Sequence, residues 1–197
     1  SFLNTQGLIK GTMGLIDSDA SRALYNQINP AAECSGGSAA NTIAGVASLG
    51  GRGAFIGKVR DDHFGNVFAQ DMKTCGVYFE TPMTTTGSAT ATSIVLVTPD
   101  AERTMQTYLG ASVELSPLDI NANDIVKAKV TFLEGYLWDS PAAKTAFVKA
   151  AKLAHEAGRK VSLSLSDPFC VQRHRQDFVD LIEAHIDILF ANEEEII

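Results

Sequence analysis

Apolar positions recur along this chain at two periods, and the changes of period mark its elements. An apolar stretch over 7–16 precedes a short helix over 17–28. A second helix, rich in small residues, runs through Thr42-Ile43-Ala44-Gly45-Val46-Ala47-Ser48-Leu49 and stops at Gly50-Gly51. The run 52–57 predicts a strand. Asp61 or Asp62 then caps a helix with Phe64, Val67, Phe68, Met72 and Cys75 on one face, ended by Gly76. Between Val77 and Leu109 the period drops to two. Residues 90–97 and 102–108 alternate, with Thr98-Pro99-Asp100 as turn chemistry between them, which predicts a β-hairpin in a small sheet.

Beyond Pro117 strands and helices alternate. Val130-Thr131-Phe132-Leu133-Glu134 is a strand, and Ser140-Pro141 opens a long helix stopped by Gly158. Its apolar face carries Ala142, Ala143, Ala146, Phe147, Ala150, Ala151 and Ala154. A strand over 160–165, a helix around 175–184 and a buried strand over 186–190 follow. Such an order implies right-handed crossovers and a parallel sheet covered on both faces. The expected class is α/β, one unit over 1–197, with a small β-rich lid made of segments near 7–16 and 77–109. The first residues do not read as a natural start, and the helix begun at Asn192 is cut short at Ile197, so the chain reads as incomplete.

Composition narrows the partners. The net charge of −7 comes without a basic stripe, which argues against a nucleic-acid surface. No apolar run approaches the ~18 residues of a membrane helix. Cys34, Cys75 and Cys170 are odd in number and lack CxxC spacing, which argues against disulfides or zinc and for a reducing cytoplasm; all three read as structural. The four histidines show no ligand spacing and read as structural or solvated.

The chemistry concentrates in Glu33-Cys34-Ser35-Gly36-Gly37-Ser38-Ala39-Ala40-Asn41. Gly36 and Gly37 let bare backbone approach a ligand. Asn41 follows Gly37 by one helical turn, so its carboxamide shares the glycine face and offers vicinal hydroxyls both a donor and an acceptor. A buried small-residue helix behind a glycine turn is the alternative. Two other phosphate motifs fail. Gly57-Lys58 is followed by Val59 rather than Ser or Thr, and Gly50-Gly51-Arg52-Gly53 precedes a strand, the wrong order for a dinucleotide fold.

Three blocks occur in order: Gly36-Gly37-Ser38-Ala39-Ala40-Asn41, then 57–65 (GKVRDDHFG), then 187–195 (DILFANEEE). Together they resemble the ribokinase-like (PfkB) family of carbohydrate and nucleoside kinases, most closely its adenosine kinase branch. The resemblance implies a ribokinase-like fold, a largely parallel sheet flanked by helices, and ATP-dependent phosphorylation of a primary hydroxyl. Adenosine is the favoured acceptor, with a ribose- or fructose-like sugar as the alternative.

The resemblance also implies roles. Gly36, Gly37 and Asn41 would contact the ribose and Ser38 the base or sugar. Asn192 and Glu195 would organise Mg²⁺-ATP, Glu195 reaching the metal through water; Glu193 and Glu194 read as a solvated helix start. Arg103 matches a lid arginine that stabilises the phosphates, its alternative being a solvated turn arginine. Tyr136 matches an aromatic that stacks on adenine; Trp138 either shares that task or packs, and Asp139 reads as turn chemistry. Arg60, Ile43 and Ser164 depart from the family's usual residues. A strand with a ribose-binding Asp is expected before Ser1, and the Gly-Ala-Gly-Asp segment with the general base after Ile197, so this chain is expected to hold no general base. Loss of that segment would leave a binding protein that senses sugar or nucleoside. An ordinary dinucleotide dehydrogenase is a third reading. The edges of the lid sheet offer a place for a second copy to pair.

Overall fold

Most of the long helices start where a short side chain can accept from their first free amides, and the computed structural model, which describes residues 2–28 and 32–196, follows those signals. In chain order its elements are α1 (Phe2–Thr5), β1 (Met13–Leu15), α2 (Ser18–Tyr25), α3 (Ser38–Ser48), β2 (Gly53–Ala54), α4 (His63–Thr74), β3 (Val77–Tyr78) and β4 (Thr92–Val97). They continue as β5 (Arg103–Tyr108), α5 (Ala122–Lys127), β6 (Val130–Glu134), α6 (Pro141–Glu156), β7 (Lys160–Ser164), α7 (Pro168–His185), β8 (Ile188–Phe190) and α8 (Glu193–Ile196). Asp17, Asp62, Asn121, Ser140 and Asp167 accept from the first turns of α2, α4, α5, α6 and α7. Helix α3 begins differently: Gly37, at φ 99°, precedes it and offers no side-chain cap.

Among the described residues the strands form three sheets, one more than the expected parallel sheet and small lid sheet. β6, β7 and β8 are parallel neighbours in that order, β2 and β3 form a short parallel pair, and β1-β5-β4 is a mixed sheet. In the mixed sheet β4 and β5 are the anticipated antiparallel hairpin, Val97 opposite Arg103 and Thr92 opposite Tyr108. β1, from the apolar stretch near the start, joins in parallel, with Met13 opposite Met105. Met13–Leu15 from the segment 7–16 and the hairpin Thr92–Tyr108 from 77–109 thus meet in one sheet, whose Thr104, Gln106 and Ile94 are buried and which packs against α2, while Val77–Tyr78 pairs with β2 instead.

The main core lies where α6 and α7 pack with β6 and β7. Ala146, Ala150, Ala151 and Ala154 have no side chain beyond Cβ, so α6 sits close to Val161, Leu163 and Leu133. Trp138 belongs to this core, stacked on Phe178 at 5.4 Å between centroids. A smaller cluster joins Ala40 of α3 to Met72 of α4 and Val77 of β3.

Several expectations need correction. Only Gly53–Ala54 of the run 52–57 pairs as a strand. Helix α7 begins at Pro168, seven residues earlier than the expected 175, because Asp167 accepts from the Phe169 amide at 2.7 Å and Pro168 suits the first turn. It bends at His174 (φ −127°, ψ 26°). Strand β8 covers only Ile188–Phe190 and is the outermost of β6, β7 and β8, where Phe190 is 54% exposed. Ala142 is exposed in the first turn of α6, and Cys75 is exposed where α4 ends, off the buried face. Cys34 is exposed too, so only Cys170 is a core thiol, pushed up to about 11 by burial.

The loop before α4 is tightly drawn. Burial alone would push the Asp62 carboxyl up, but bonds from the Thr90 and Gly65 amides, both 2.9 Å, outweigh it and hold the group low. Gly65 sits so close to the preceding turn that a Cβ there would lie 1.9 Å from the Arg60 carbonyl oxygen. Gly65→Ala is therefore expected to cost at least the upper end of the ~1–3 kcal/mol typical of overpacking. Urea unfolding of the full-length variant checks it, and an unchanged midpoint would contradict this packing.

Candidate functional site

Parallel strands deliver ligands to their carboxyl ends, where the loops that follow diverge. Here β6 ends at Glu134, β7 at Ser164 and β8 at Phe190. Glu134 runs straight into a 3-10 turn, Gly135–Asp139, carrying Tyr136. A Cβ on Gly135 would meet the Leu165 carbonyl oxygen at 2.6 Å, so only glycine lets this turn close against the end of β7.

The N-terminus of α3 comes to the same edge. Ser38 Oγ donates a hydrogen bond to Glu134 Oε1, and the Ala39 amide also bonds that carboxylate. A residue 96 positions downstream thus supplies the oxygen that Gly37 cannot. Burial nevertheless raises the Glu134 carboxyl above its ordinary range, with the Ser38 and Ala39 bonds pulling the other way. Gly36 and Gly37 face open space: a Cβ on either would meet nothing within 4 Å. The Asn41 amide bonds the Gly37 carbonyl at 2.8 Å, one helical turn. Its carboxamide is exposed and makes no hydrogen bond among the described residues. That disposes of the buried-helix alternative for Asn41.

Tyr136 is 46% exposed at this edge. Its hydroxyl is raised by partial burial first, and then by the carboxylates of Asp167, Glu134 and Glu195. Trp138 does not share the exposure; at 4% it is a core residue. Asp139 is more than turn chemistry, since Arg173 and His174 both bond its carboxylate. Phe169, at the start of α7, stands 69% exposed.

Asn192 and Glu195 are joined to each other. Asn192 Oδ1 accepts from the Glu194 and Glu195 amides at 2.9 Å, and Glu195 accepts from Asn192 Nδ2 at 2.9 Å and from the Asn192 amide at 3.3 Å. This reciprocal cap fixes α8 and buries the Glu195 carboxylate. No group of three or more His, Cys, Asp or Glu side chains able to hold a metal ion occurs among the described residues. Each Glu195 oxygen already accepts one hydrogen bond from Asn192, which leaves one acceptor site apiece for a metal-bound water. Arg103, exposed at the start of β5, makes no hydrogen bond or ion pair among the described residues, and no bond joins it to the cleft.

Of the predicted residues, Gly36, Gly37, Ser38, Asn41 and Tyr136 surround one edge with Glu195 nearby, while Arg103 stands on the mixed sheet. Glu134 escaped the sequence reading, which treated it as the last residue of a strand. The signal was available: a carboxylate at the carboxyl end of a parallel strand, next to Gly-Tyr. The arrangement offers free amides, an exposed carboxamide and a carboxylate, the complement of a polyhydroxylated guest, beside a half-exposed aromatic ring. A cavity of about 460 Å³ lies elsewhere, between α2 and the mixed sheet near Arg22, Tyr25, Arg60 and Tyr108. None of the predicted residues lines it, and the cleft is assigned on its chemistry rather than on enclosure.

Among known proteins, the model of the pfkB family carbohydrate kinases matches residues 26–196. Fructokinase-2 of Solanum lycopersicum is 36% identical over 129 residues, 64% of this chain and 39% of its own length. The chloroplastic probable fructokinase-6 of Arabidopsis thaliana is 33% identical over 168 residues, 82% of this chain and 44% of its own. The solved adenosine kinase of Sinorhizobium meliloti superposes with a TM-score of 0.88 at 50% identity, over 98% of this chain and 60% of that one. A probable sugar kinase of Rhizobium etli does so at 0.88 and 48%, over 98% and 59%. The adenosine kinase of Trypanosoma brucei brucei shares the fold at 0.87 with 21% identity. The chain spans about two fifths of the curated relatives' length and three fifths of the solved ones'.

Glu134 carries a testable consequence. A raised carboxyl means that the folded state holds its proton over a range where the unfolded chain has lost it. Stability therefore falls as pH rises from the ordinary glutamate value through the folded one. Glu134→Gln in the full-length protein is expected to flatten that dependence and to melt higher near neutral pH. Parallel melting curves against pH for the two proteins would expose the contrary.

Proposed function

Because the chain belongs to the pfkB family of carbohydrate kinases and has the ribokinase-like α/β fold, we propose that the whole protein transfers the γ-phosphoryl group of ATP to a primary hydroxyl of a small nucleoside or sugar, adenosine being the first choice. The observation that carries this reading is the open Gly36–Gly37 bend, with the unbonded Asn41 one turn on and Glu134 against the same helix N-terminus.

In this reading the acceptor's hydroxyls bond the Gly37 region, Asn41 and Glu134, which fixes the reacting hydroxyl and leaves little freedom to lose at the transition state. Asn192 and Glu195, at the start of α8, would face Mg²⁺-ATP, Glu195 reaching the ion through water. Arg103 comes to the phosphates as the mixed sheet closes, adding a fixed positive charge where negative charge spreads. That sheet acts as a lid. Met13, Leu15, Val95 and Val97 are exposed on it, an apolar cover that excludes water from the transfer. The proton acceptor is assigned to residues outside this chain.

Adenosine is favoured by the half-exposed Tyr136, a flat partner for a base, and by the Sinorhizobium meliloti adenosine kinase at 50% identity. A fructose-like sugar is the second reading, favoured by the fructokinase relatives. The free edges of β1 and β4 suit pairing with a second copy. The three free thiols suit a cytoplasmic setting. No described helix is long and apolar enough to cross a membrane.

ADP release by the full-length protein, measured across nucleosides and sugars, decides. Turnover of sugars alone removes adenosine, and turnover of neither leaves a binding protein. Asn41→Ala is expected to weaken the acceptor about 5- to 150-fold, the loss of ~1–3 kcal/mol of hydrogen bonding, with the ATP KM unchanged. An unaltered acceptor KM removes Asn41 from the site.

A further inference from the structure

Tyr136 stands on neither strand nor helix. It rides the short turn Gly135–Asp139, so its angle depends on what holds that turn from behind. Helix α7 does so at three points. Cys170 Sγ donates to the Gly135 carbonyl at 3.2 Å, and Phe178 stacks on Trp138. At the far end of the turn, Asp139 accepts from Arg173 through Nε at 3.2 Å and Nη2 at 2.8 Å, and from His174 Nε2 at 2.5 Å.

The third point is unusual for a helix. Consecutive residues on a regular α-helix diverge by about 100° and do not reach one partner. Arg173 and His174 share one carboxylate because α7 leaves helical geometry at His174. Asp139 and Arg173 are both more than half exposed, and an ion pair so exposed adds little to stability. The His174 side chain at the bend is only 19% exposed, so the bend packs that imidazole as well as bringing Arg173 and His174 to one carboxylate. The one functional element it touches is the turn that presents Tyr136.

We propose that Asp139, Arg173 and His174 form a brace that sets the orientation of Tyr136 and through it the affinity for the acceptor. All three are positioning residues, and the inference rests on reading the cleft as an acceptor site. Asp139 anchors the end of the turn, Arg173 fixes the plane of its carboxylate, and His174 places the bend. Lys144 lies 5.5 Å from the centre of the Trp138 ring and pairs with Asp177 of α7, so α6 steadies the same turn from the side.

Trp138, the single tryptophan of this sequence and two residues from Tyr136, reports on the turn by its emission, with Trp138→Phe as the blank. In the full-length protein, Asp139→Asn and His174→Gln are each expected to raise the acceptor KM about tenfold, since small displacements of positioning groups cost up to about a hundredfold. kcat and the ATP KM should hold, and Trp138 emission should shift. In a Tyr136→Ala background Asp139→Asn should add nothing further, as coupled residues do. An unchanged acceptor KM in an active Asp139→Asn enzyme overturns the brace, as does an equal penalty with and without Tyr136. A wild type that turns over no acceptor refutes the kinase reading instead. The brace is then judged by titrating adenosine and fructose against Trp138 emission. Weaker binding in Asp139→Asn sustains it, and equal binding or none at all rejects it.

Discussion

A carboxylate against the start of a helix holds the two halves of this site together. Helix α3 opens on two glycines, so it has no side chain of its own to take up its first amides, and Glu134 does so from the end of a strand far along the chain. The bond satisfies donors that α3 would otherwise leave free, and it fixes the glycine bend relative to the parallel sheet. The raised carboxyl of Glu134 shows that the contact is bought at a desolvation cost. Polar groups held under such tension are suited to a guest that brings its own hydrogen bonds.

Around that contact the molecule sets a large packed core beside a smaller mixed sheet. The α6–β6–β7–α7 core is built from alanines and large apolar side chains, and it presents the strand ends as a fixed shelf. The mixed sheet is smaller, packs on α2, and keeps exposed apolar residues on its surface. A stiff shelf bearing hydrogen-bonding groups, beside a lighter element bearing an arginine and apolar cover, suits a reaction that must exclude water and then release its product. Asn192 and Glu195 show a similar economy: each accepts hydrogen bonds from the other, and together they cap α8.

Much of the fold was legible because local signals agreed. The caps at Asp62 and Ser140, the stops at Gly76 and Gly158, and the alternation across 90–108 each mark an element through chemistry confined to a few residues. Misreadings fell where distant partners decide. The run 52–57 has strand composition, yet only two of its residues find a neighbour. The start of α7 was hidden because Pro168 and the exposed Phe169 interrupt the apolar period. Tyr136 was the expected ring of the site, with Trp138, two residues on in the same turn, either sharing the task or packing; the fold buries Trp138 against Phe178 and leaves Tyr136 half open.

By itself the sequence determined the α/β class, the glycine bend with Asn41 one turn later, and the family resemblance, since each depends on spacing along the backbone. Only the tertiary structure decided that Glu134 completes α3, that Asn192 and Glu195 answer each other's hydrogen bonds, and that Arg173 and His174 converge on Asp139. These contacts join groups whose meeting depends on where whole elements pack and bend. A side chain's partner across such a distance is set by the sum of that packing, and no local pattern of residues encodes it.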